Sequence, residues 1–176
     1  MDMRKVILCV AVSLDGLIEG PKGEYDWCLT DQDYGMTEFT KRIDTIFYGR
    51  KSYEMMLHAQ QGGDINPYAK MKSYVFSNSL ATPYPGTELI SGDVVAAVTA
   101  LKNEAGNDIW LWGGASLTTS FLNAGLIDEM ILAVHPLVLG AGKPLFSNID
   151  GRKHFVLKSS QAYSSGLVML TYEAKK

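Results

Sequence analysis

The stretch that decides the fold is Ile109-Trp110-Leu111-Trp112-Gly113-Gly114-Ala115-Ser116-Leu117, in which an apolar run ends at paired glycines and a helical pattern begins. A second stretch, 46–53, repeats this order with Gly49 at the turn and Arg50 at the helix start. Helix starts present free N–H groups that attract anions, and glycine lets a phosphate approach the backbone. The two turns therefore predict a diphosphate site, although each alone is also explained as a tight strand–helix turn.

Around these turns, apolar runs alternate with helical patterns along most of the chain. The runs predict strands at 6–12, 45–48, 73–76, 109–112 and 130–134, and the periodicity predicts helices at 37–43, 93–102 and 115–123. Continuous apolar runs are typical of strands that helices cover on both faces. The tail differs, because 154–163 and 167–174 flank a Ser-Ser-Gly turn and predict an antiparallel hairpin. The expected fold is a three-layer α/β/α domain with a central mixed, mostly parallel sheet.

Composition limits the class of protein. The chain has 176 residues, 47% hydrophobic and 20% charged, with a formal net charge of −3, which suits a single domain spanning 1–176. The linker-like stretch 60–67 is too short to separate two domains. We expect no nucleic-acid or membrane partner, since there is no basic run and the apolar runs are far shorter than a bilayer span. Two cysteines cannot form a disulfide framework, which favours a cytoplasmic location.

Several polar residues beside the strand ends are candidates for ligand contact. Arg50 and Lys51 stand at a helix start, where two cations oppose the helix dipole. They are explained either as ligand-binding groups, since an Arg fork matches a phosphate monoester, or as solvated surface charges. Ser77 suits either a phosphate or a turn. The loop from Ser13 to Trp27 is long enough for a lid. The three histidines lack metal-ligand spacing, so no metal is expected, and His135 before Pro136 is interpreted as a structural strand-end residue.

These features together resemble the dihydrofolate reductase superfamily, and most closely the reductase domain of bacterial riboflavin-biosynthesis enzymes and its stand-alone relatives. The resemblance covers nearly the whole chain, and its residues are 13–16, 26–27, 43–54, 111–117, 126–130 and 136–146. It implies an NADPH-dependent reductase that transfers a hydride to a C=N or C=O group of a small pterin- or pyrimidine-type heterocycle. Trp112 stands where the riboflavin-pathway domain commonly has a glutamate before the paired glycines.

The resemblance also assigns positions around the cofactor. The Gly49 turn would meet the diphosphate and the 2′-phosphate, the Gly113 turn would hold the diphosphate with an unusual Gly–Gly peptide bond, and Ala11 would line the nicotinamide. The full set of cofactor-binding candidates is Ala11, Ile18, Gly49, Arg50, Lys51, Ser52, Ser77, Asn78, Trp112, Gly113, Gly114, Ala115, Ser116 and Leu117.

The substrate pocket is expected between the Ser13–Trp27 loop and the helix beginning near Tyr34. Substrate-binding candidates are Trp27, Asp31 and Tyr34, and candidate proton donors are Asp33, Asp15 and Glu38. Asp33 is favoured because its distance ahead of Gly49 resembles that of the family's pterin-binding acid. A carboxylate partly buried by Trp27 and a ligand would have its pKa raised toward neutrality, which suits proton delivery. The alternative is that all of these carboxylates are solvated loop charges.

Two further interpretations of the function stay open, and a separate expectation concerns assembly. The chain could be an NADP(H)-binding protein of the same fold without turnover, or another phosphate-binding α/β protein such as a nucleotide-binding regulator. The last strand of the hairpin, 167–172, is apolar-rich and lacks proline, so we expect it to form an exposed edge that promotes a homodimer. Relatives of the resembled family are often dimeric, which favours the same assembly.

Overall fold

The computed structural model describes residues 3–61 and 67–175, and the linker-like stretch 60–67 therefore falls partly outside the described residues. The strands are β1 (Val6–Ser13), β2 (Leu17–Glu19), β3 (Ile43–Gly49), β4 (Lys72–Phe76), β5 (Thr87–Ile90), β6 (Asp108–Gly113), β7 (Glu129–His135), β8 (Lys143–Pro144), β9 (Phe155–Ala162) and β10 (Val168–Ala174). The helices are α1 (Met36–Lys41), α2 (Arg50–Gln61), α3 (Val94–Lys102) and α4 (Ala115–Asn123).

The main sheet has eight strands in the order β5-β4-β3-β6-β1-β7-β10-β9. The six strands from β5 to β7 are parallel, and β10 runs antiparallel to both β7 and β9. The predicted mixed, mostly parallel sheet with a C-terminal hairpin is confirmed. Because β3 and β6 are adjacent, the turns that follow them emerge side by side at one edge of the sheet.

Two apolar layers enclose the sheet, as the continuous strand patterns predict. On one face α3 and α4 contribute Val98, Leu101 and Phe121 to a core with Leu8 and Leu111. On the other face α1 contributes Phe39 and α2 contributes Tyr53 to a core with strand residues of the opposite parity, Ile7, Ile46 and Trp110. The α/β/α layering is therefore confirmed, and alternate residues of each central strand serve different faces.

Local details differ from the sequence-based expectations in three places. Helix α1 ends at Lys41, earlier than predicted, because Ile43 already belongs to β3. Asp93, in contrast, caps α3 as expected, since its side chain accepts a hydrogen bond from the Ala96 N–H (3.0 Å). The short strands β2, β5 and β8 lack a sequence pattern long enough to predict them. The expectation that 167–172 forms the exposed edge is wrong, since β10 is paired on both sides and β9 is the outermost strand.

Among the helices of residues 3–61 and 67–175, none combines the length and the apolar character needed to cross a bilayer.

Candidate functional site

The two glycine turns pack directly against each other at the carboxyl ends of β3 and β6. A Cβ atom on Gly49 would lie 3.3 Å from both the Gly113 carbonyl oxygen and the Gly114 nitrogen. A Cβ on Gly114 would lie 3.0 Å from Ser52 Oγ. Only glycine fits this approach without displacement, and the Gly113–Gly114 peptide bond is cis, as the resemblance implied.

A cleft of about 380 Å³ opens between these turns and the end of β4. Its lining contains most of the predicted cofactor-binding residues, namely Gly49, Arg50, Lys51, Ser77, Asn78, Gly114, Ala115, Ser116 and Leu117. Residues of both turns therefore line the same cleft, where the sequence predicts that the two turns face one ligand. Helix α3 closes the far end of the cleft through Val94.

The cleft has the electrostatics of an anion site. Helices α2 and α4 both begin at it, and neither carries an acidic residue in its first turn. Gly114, the N-cap of α4, has no side chain to occupy the free N–H groups. Since helix N-termini and open N–H groups stabilise anions, both turns can hold phosphate oxygens.

Three cations line the cleft: Arg50, Lys51 and Lys143. None of the described lining residues is acidic. The guanidinium of Arg50 is held between Ser79 Oγ (2.7 Å from Nη1) and Glu54 Oε1 (2.9 Å from Nε). A fork fixed in this way is suited to bind a phosphate monoester at the mouth.

Lys143 was not assigned by sequence reasoning. It lies on β8, and it reaches the cleft because β8 pairs with β2, bringing Lys143 opposite Glu19. A Cβ on the preceding Gly142 would collide with the Glu19 backbone, so glycine is required for this pairing. The sequence signal for Lys143 is the Gly-Lys-Pro order at 142–144. This signal does not predict the position of Lys143, because β8 pairs with a strand more than 120 residues earlier in the chain.

Ser77 and Asn78 have local structural roles in addition to their place in the cleft. Ser77 Oγ accepts from the N–H groups of Ser79 (3.2 Å) and Leu80 (3.0 Å), which makes it a turn residue. Asn78 Oδ1 accepts from the Gly92 N–H (3.0 Å) and so joins two loops at the cleft. Both interpretations of Ser77 are therefore compatible, because its hydroxyl proton can still be donated to a ligand.

The remaining predicted cofactor residues lie around the cleft rather than in its lining. Ser52 and Gly113 form the floor through the contacts described above. Ala11 lies on β1, next to Ala133, and Ile18 lies on β2 against the α3/α4-side core. Trp112 faces the opposite side of the sheet, where its ring centroid lies 4.4 Å from that of Trp110 and 5.7 Å from that of Tyr48.

The carboxylates of the candidate proton donors already have hydrogen-bond or ion-pair partners within the chain. Asp15 accepts from Ser13 Oγ (2.6 Å) and from the N–H groups of Gly140 (2.8 Å) and Leu139 (3.1 Å). These bonds, above all that from Ser13, lower the pKa of Asp15 to about 2. The pKa of Asp15 is lowered because these hydrogen bonds stabilise its charge, and the rise expected for a carboxylate buried by Trp27 and a ligand stays a prediction.

Asp31, Asp33 and Glu38 are each in contact with a side chain three or four residues along the chain. The Tyr34 hydroxyl, 2.5 Å from Asp31, lowers the pKa of that carboxyl. Asp33 is exposed and accepts from Thr37, from its N–H (3.1 Å) and from its hydroxyl (2.7 Å), at the start of α1. Glu38 is exposed and paired with Lys41 at 2.6 Å. Asp33 lines neither the cofactor cleft nor the cavity beside α1.

The predicted substrate residues are distributed over two places. Trp27 packs edge-on against His135, with ring centroids 5.2 Å apart. Tyr34 is buried and also lies 2.8 Å from Ser165 in the β9–β10 turn. Tyr34 and Glu38 line a cavity of about 230 Å³ between α1 and the hairpin. Trp27 and Tyr34 thus have different partners, His135 and Ser165.

No cluster of three His, Cys, Asp or Glu side chains suited to a metal ion occurs among the residues the structure describes.

Comparisons with known proteins agree with this geometry. The fold is that of the dihydrofolate reductase-like α/β proteins: the chain superimposes on dihydrofolate reductase from Enterococcus faecalis, complexed with NADP(H), with a TM-score of 0.67, at 16% identity, over 98% of this chain and 97% of that chain. The RibD C-terminal domain model matches residues 4–169, and the chain belongs to the RibD C-terminal domain family.

Relatives within this family resemble the chain over nearly its full length. It is 41% identical to the uncharacterised protein YyaP of Bacillus subtilis, covering 98% of this chain and 96% of that protein. A putative riboflavin biosynthesis protein from Shewanella superimposes with a TM-score of 0.87, at 28% identity, over 98% of this chain and 99% of that one. A deaminase/reductase from Thermotoga maritima superimposes with a TM-score of 0.73 at 15% identity, and this chain spans 57% of it.

Proposed function

We propose that the chain is an NADPH-dependent reductase that acts on a C=N or C=O group of a small pterin- or pyrimidine-type heterocycle. The observation that carries the proposal is the convergence of two open helix N-termini and three cations on one cleft. The family places the chain among reductase-like proteins, and the Enterococcus neighbour with NADP(H) supports the cofactor.

The residues present fit a dinucleotide phosphate. A side chain on Gly49 or Gly114 would fill the space between the two turns. Because both residues are glycine, the backbone stays accessible to a diphosphate held between α2 and α4. Arg50 and Lys51 provide the positive charge for a 2′-phosphate at the mouth, and Lys143 provides it on the opposite wall. When bound, the dihydronicotinamide supplies the hydride.

The chain's own contribution to the reaction is binding and orientation. Asp15 and Asp31 stay ionised at neutral pH, because hydrogen bonds lower the pKa of each, and neither is a source of the proton that the reduced nitrogen or oxygen takes up. We therefore assign that proton to water. If Asp33 or Glu38 delivered it instead, Asp33→Asn or Glu38→Gln would lower turnover at least tenfold at saturating NADPH.

The test is an NADPH oxidation assay with the full chain. The acceptors are 7,8-dihydrofolate and 5-amino-6-(5-phosphoribosylamino)uracil in separate reactions, and NADH replaces NADPH as the control. We expect oxidation of NADPH with one acceptor and a much slower reaction with NADH. Absence of NADPH binding by titration would overturn the proposal.

A second candidate is an NADP(H)-binding protein without turnover, and one observation favours it. Asp33, the favoured candidate proton donor, lines neither the cofactor cleft nor the cavity between α1 and the hairpin. Tight NADPH binding without oxidation in the presence of either acceptor would identify this function.

A further inference from the structure

His135 is a buried imidazole whose outer nitrogen has no partner. The side chain is 3% exposed, at the carboxyl end of β7. Its Nδ1 lies 2.9 Å from the Ala133 carbonyl oxygen, so in the neutral ring the proton is on Nδ1 and Nε2 is an acceptor. In the part of the chain that the structure describes, Nε2 receives no hydrogen bond.

The neighbours of His135 cannot supply the missing donor. Ser13, which is opposite His135 in the β1–β7 register, donates its hydroxyl proton to Asp15 at 2.6 Å. Trp27 covers the imidazole edge-on, but its indole N–H is directed to the Glu24 carbonyl oxygen at 3.3 Å. An unpaired buried acceptor destabilises a protein, so its presence needs a reason.

The position of His135 points to a ligand. Side chains alternate along a strand, so Ala133 and Ala11 lie on the same sheet face as His135, one step toward the strand starts. Both alanines are only half-buried and register opposite each other, which leaves a shallow floor beside the imidazole. Trp112 closes the same face from β6.

We infer that His135 is a substrate-binding residue whose Nε2 accepts a hydrogen bond from a ring N–H or amino group of the heterocycle after the Trp27 indole moves aside. This inference rests on the proposed function, since it gives the imidazole a role at the substrate end of that site. The inference also predicts specificity, because a heterocycle that binds here must place a hydrogen-bond donor, rather than a carbonyl oxygen, next to His135 Nε2.

The variants separate a binding role from a structural one. His135→Phe keeps a planar ring but removes both nitrogens, and His135→Gln restores a polar group near the Nε2 position. Thr118→Val is the matched control, because Thr118 Oγ1 is the other buried unpartnered side-chain atom among the described residues and lies on α4. Each variant is measured by isothermal titration with NADP⁺ first and then with 7,8-dihydrofolate or 5-amino-6-(5-phosphoribosylamino)uracil.

We expect His135→Phe to bind NADP⁺ as wild type does and to bind the heterocycle at least about fivefold more weakly, the loss expected for one buried hydrogen bond. His135→Gln should recover part of the affinity, Thr118→Val should leave it unchanged, and the melting temperature of His135→Phe should equal or exceed that of wild type. Should His135→Phe not fold, the ¹⁵N shift of Nε2 in wild-type protein, which must move when the heterocycle is added, gives the same answer.

Two outcomes would overturn the inference: equal heterocycle affinity in wild type and His135→Phe, or no binding of either heterocycle by wild-type protein that binds NADP⁺. Absence of NADP⁺ binding would instead contradict the proposed function. In that case, titration of wild type and His135→Phe with the heterocycle alone still measures whether His135 contributes to heterocycle affinity.

Discussion

The Arg50 guanidinium donates a 2.7 Å hydrogen bond to the Ser79 hydroxyl, joining the first residue of α2 to the loop that follows β4. Arg50 is also paired with Glu54 at 2.9 Å and keeps 46% of its side chain exposed. The cation is thus fixed at the mouth of the cleft but open to a ligand. This arrangement predicts which of the two nicotinamide cofactors the chain prefers.

Arg50→Ala should weaken NADPH binding by about 10- to 100-fold, since a charge-assisted contact contributes about 1.5–3 kcal/mol. The affinity for NADH, which lacks the 2′-phosphate, should change little. Fluorescence titration with both cofactors measures the difference, and Lys41→Ala serves as a control because Lys41 is exposed and paired only with Glu38 in the described contacts. An equal loss for NADH and NADPH would show that Arg50 does not contact the 2′-phosphate.

Gly114→Val should abolish NADPH binding in a protein that still folds. The new side chain would start 3.0 Å from Ser52 Oγ and extend into the space between the turns. Gly125→Ala is the control for backbone strain, because Gly125 has φ +65° at the end of α4, away from the cleft. Both variants should lower the melting temperature, whereas only Gly114→Val should lose the cofactor; unchanged affinity in that variant would exclude the turn as a phosphate site.

Asp15 should make the stability of the protein depend on pH in the acid range. Its pKa is lowered in the folded state to about 2, from an ordinary value of 3.8, so its contribution is complete above about pH 5 and is lost as the pH falls toward 2. Ser13→Ala, which removes the largest cause, should shift that loss to higher pH. Urea unfolding between about pH 5 and pH 3 measures the slope, which should be smaller in Asp15→Asn than in wild type. Identical slopes would contradict the assignment.

The sequence was sufficient to predict the parts of the site that depend on local chemistry. The glycine turns after β3 and β6, the Asp93 cap and the C-terminal hairpin all follow from short-range patterns. What it could not show is pairing over long distances: Asp15 with Gly140, or Lys143 opposite Glu19. The proton-donor role of Asp33 stays a prediction; spacing arguments could not show that its carboxylate accepts hydrogen bonds from Thr37, because such bonds depend on local backbone geometry.

A homodimer stays a prediction, now placed on β9 rather than on β10. Val156 and Leu157 of this edge strand are 50% and 51% exposed, and β9 has no proline. We expect light scattering to give twice the 19.3 kDa mass of the chain. Leu157→Lys should restore a monomer by placing a charge on the edge, whereas Val138→Lys, at an exposed loop site, should not. A monomeric wild-type protein at micromolar concentration would exclude this assembly.

Hydrogen–deuterium exchange with and without NADPH tests the central claim most directly, namely that the two glycine turns hold one dinucleotide. A diphosphate between α2 and α4 must accept hydrogen bonds from the N–H groups of both helix starts. We therefore predict that NADPH slows exchange together in peptides covering 49–53 and 113–118. Slower exchange in only one of these turns, or in neither, would contradict the account.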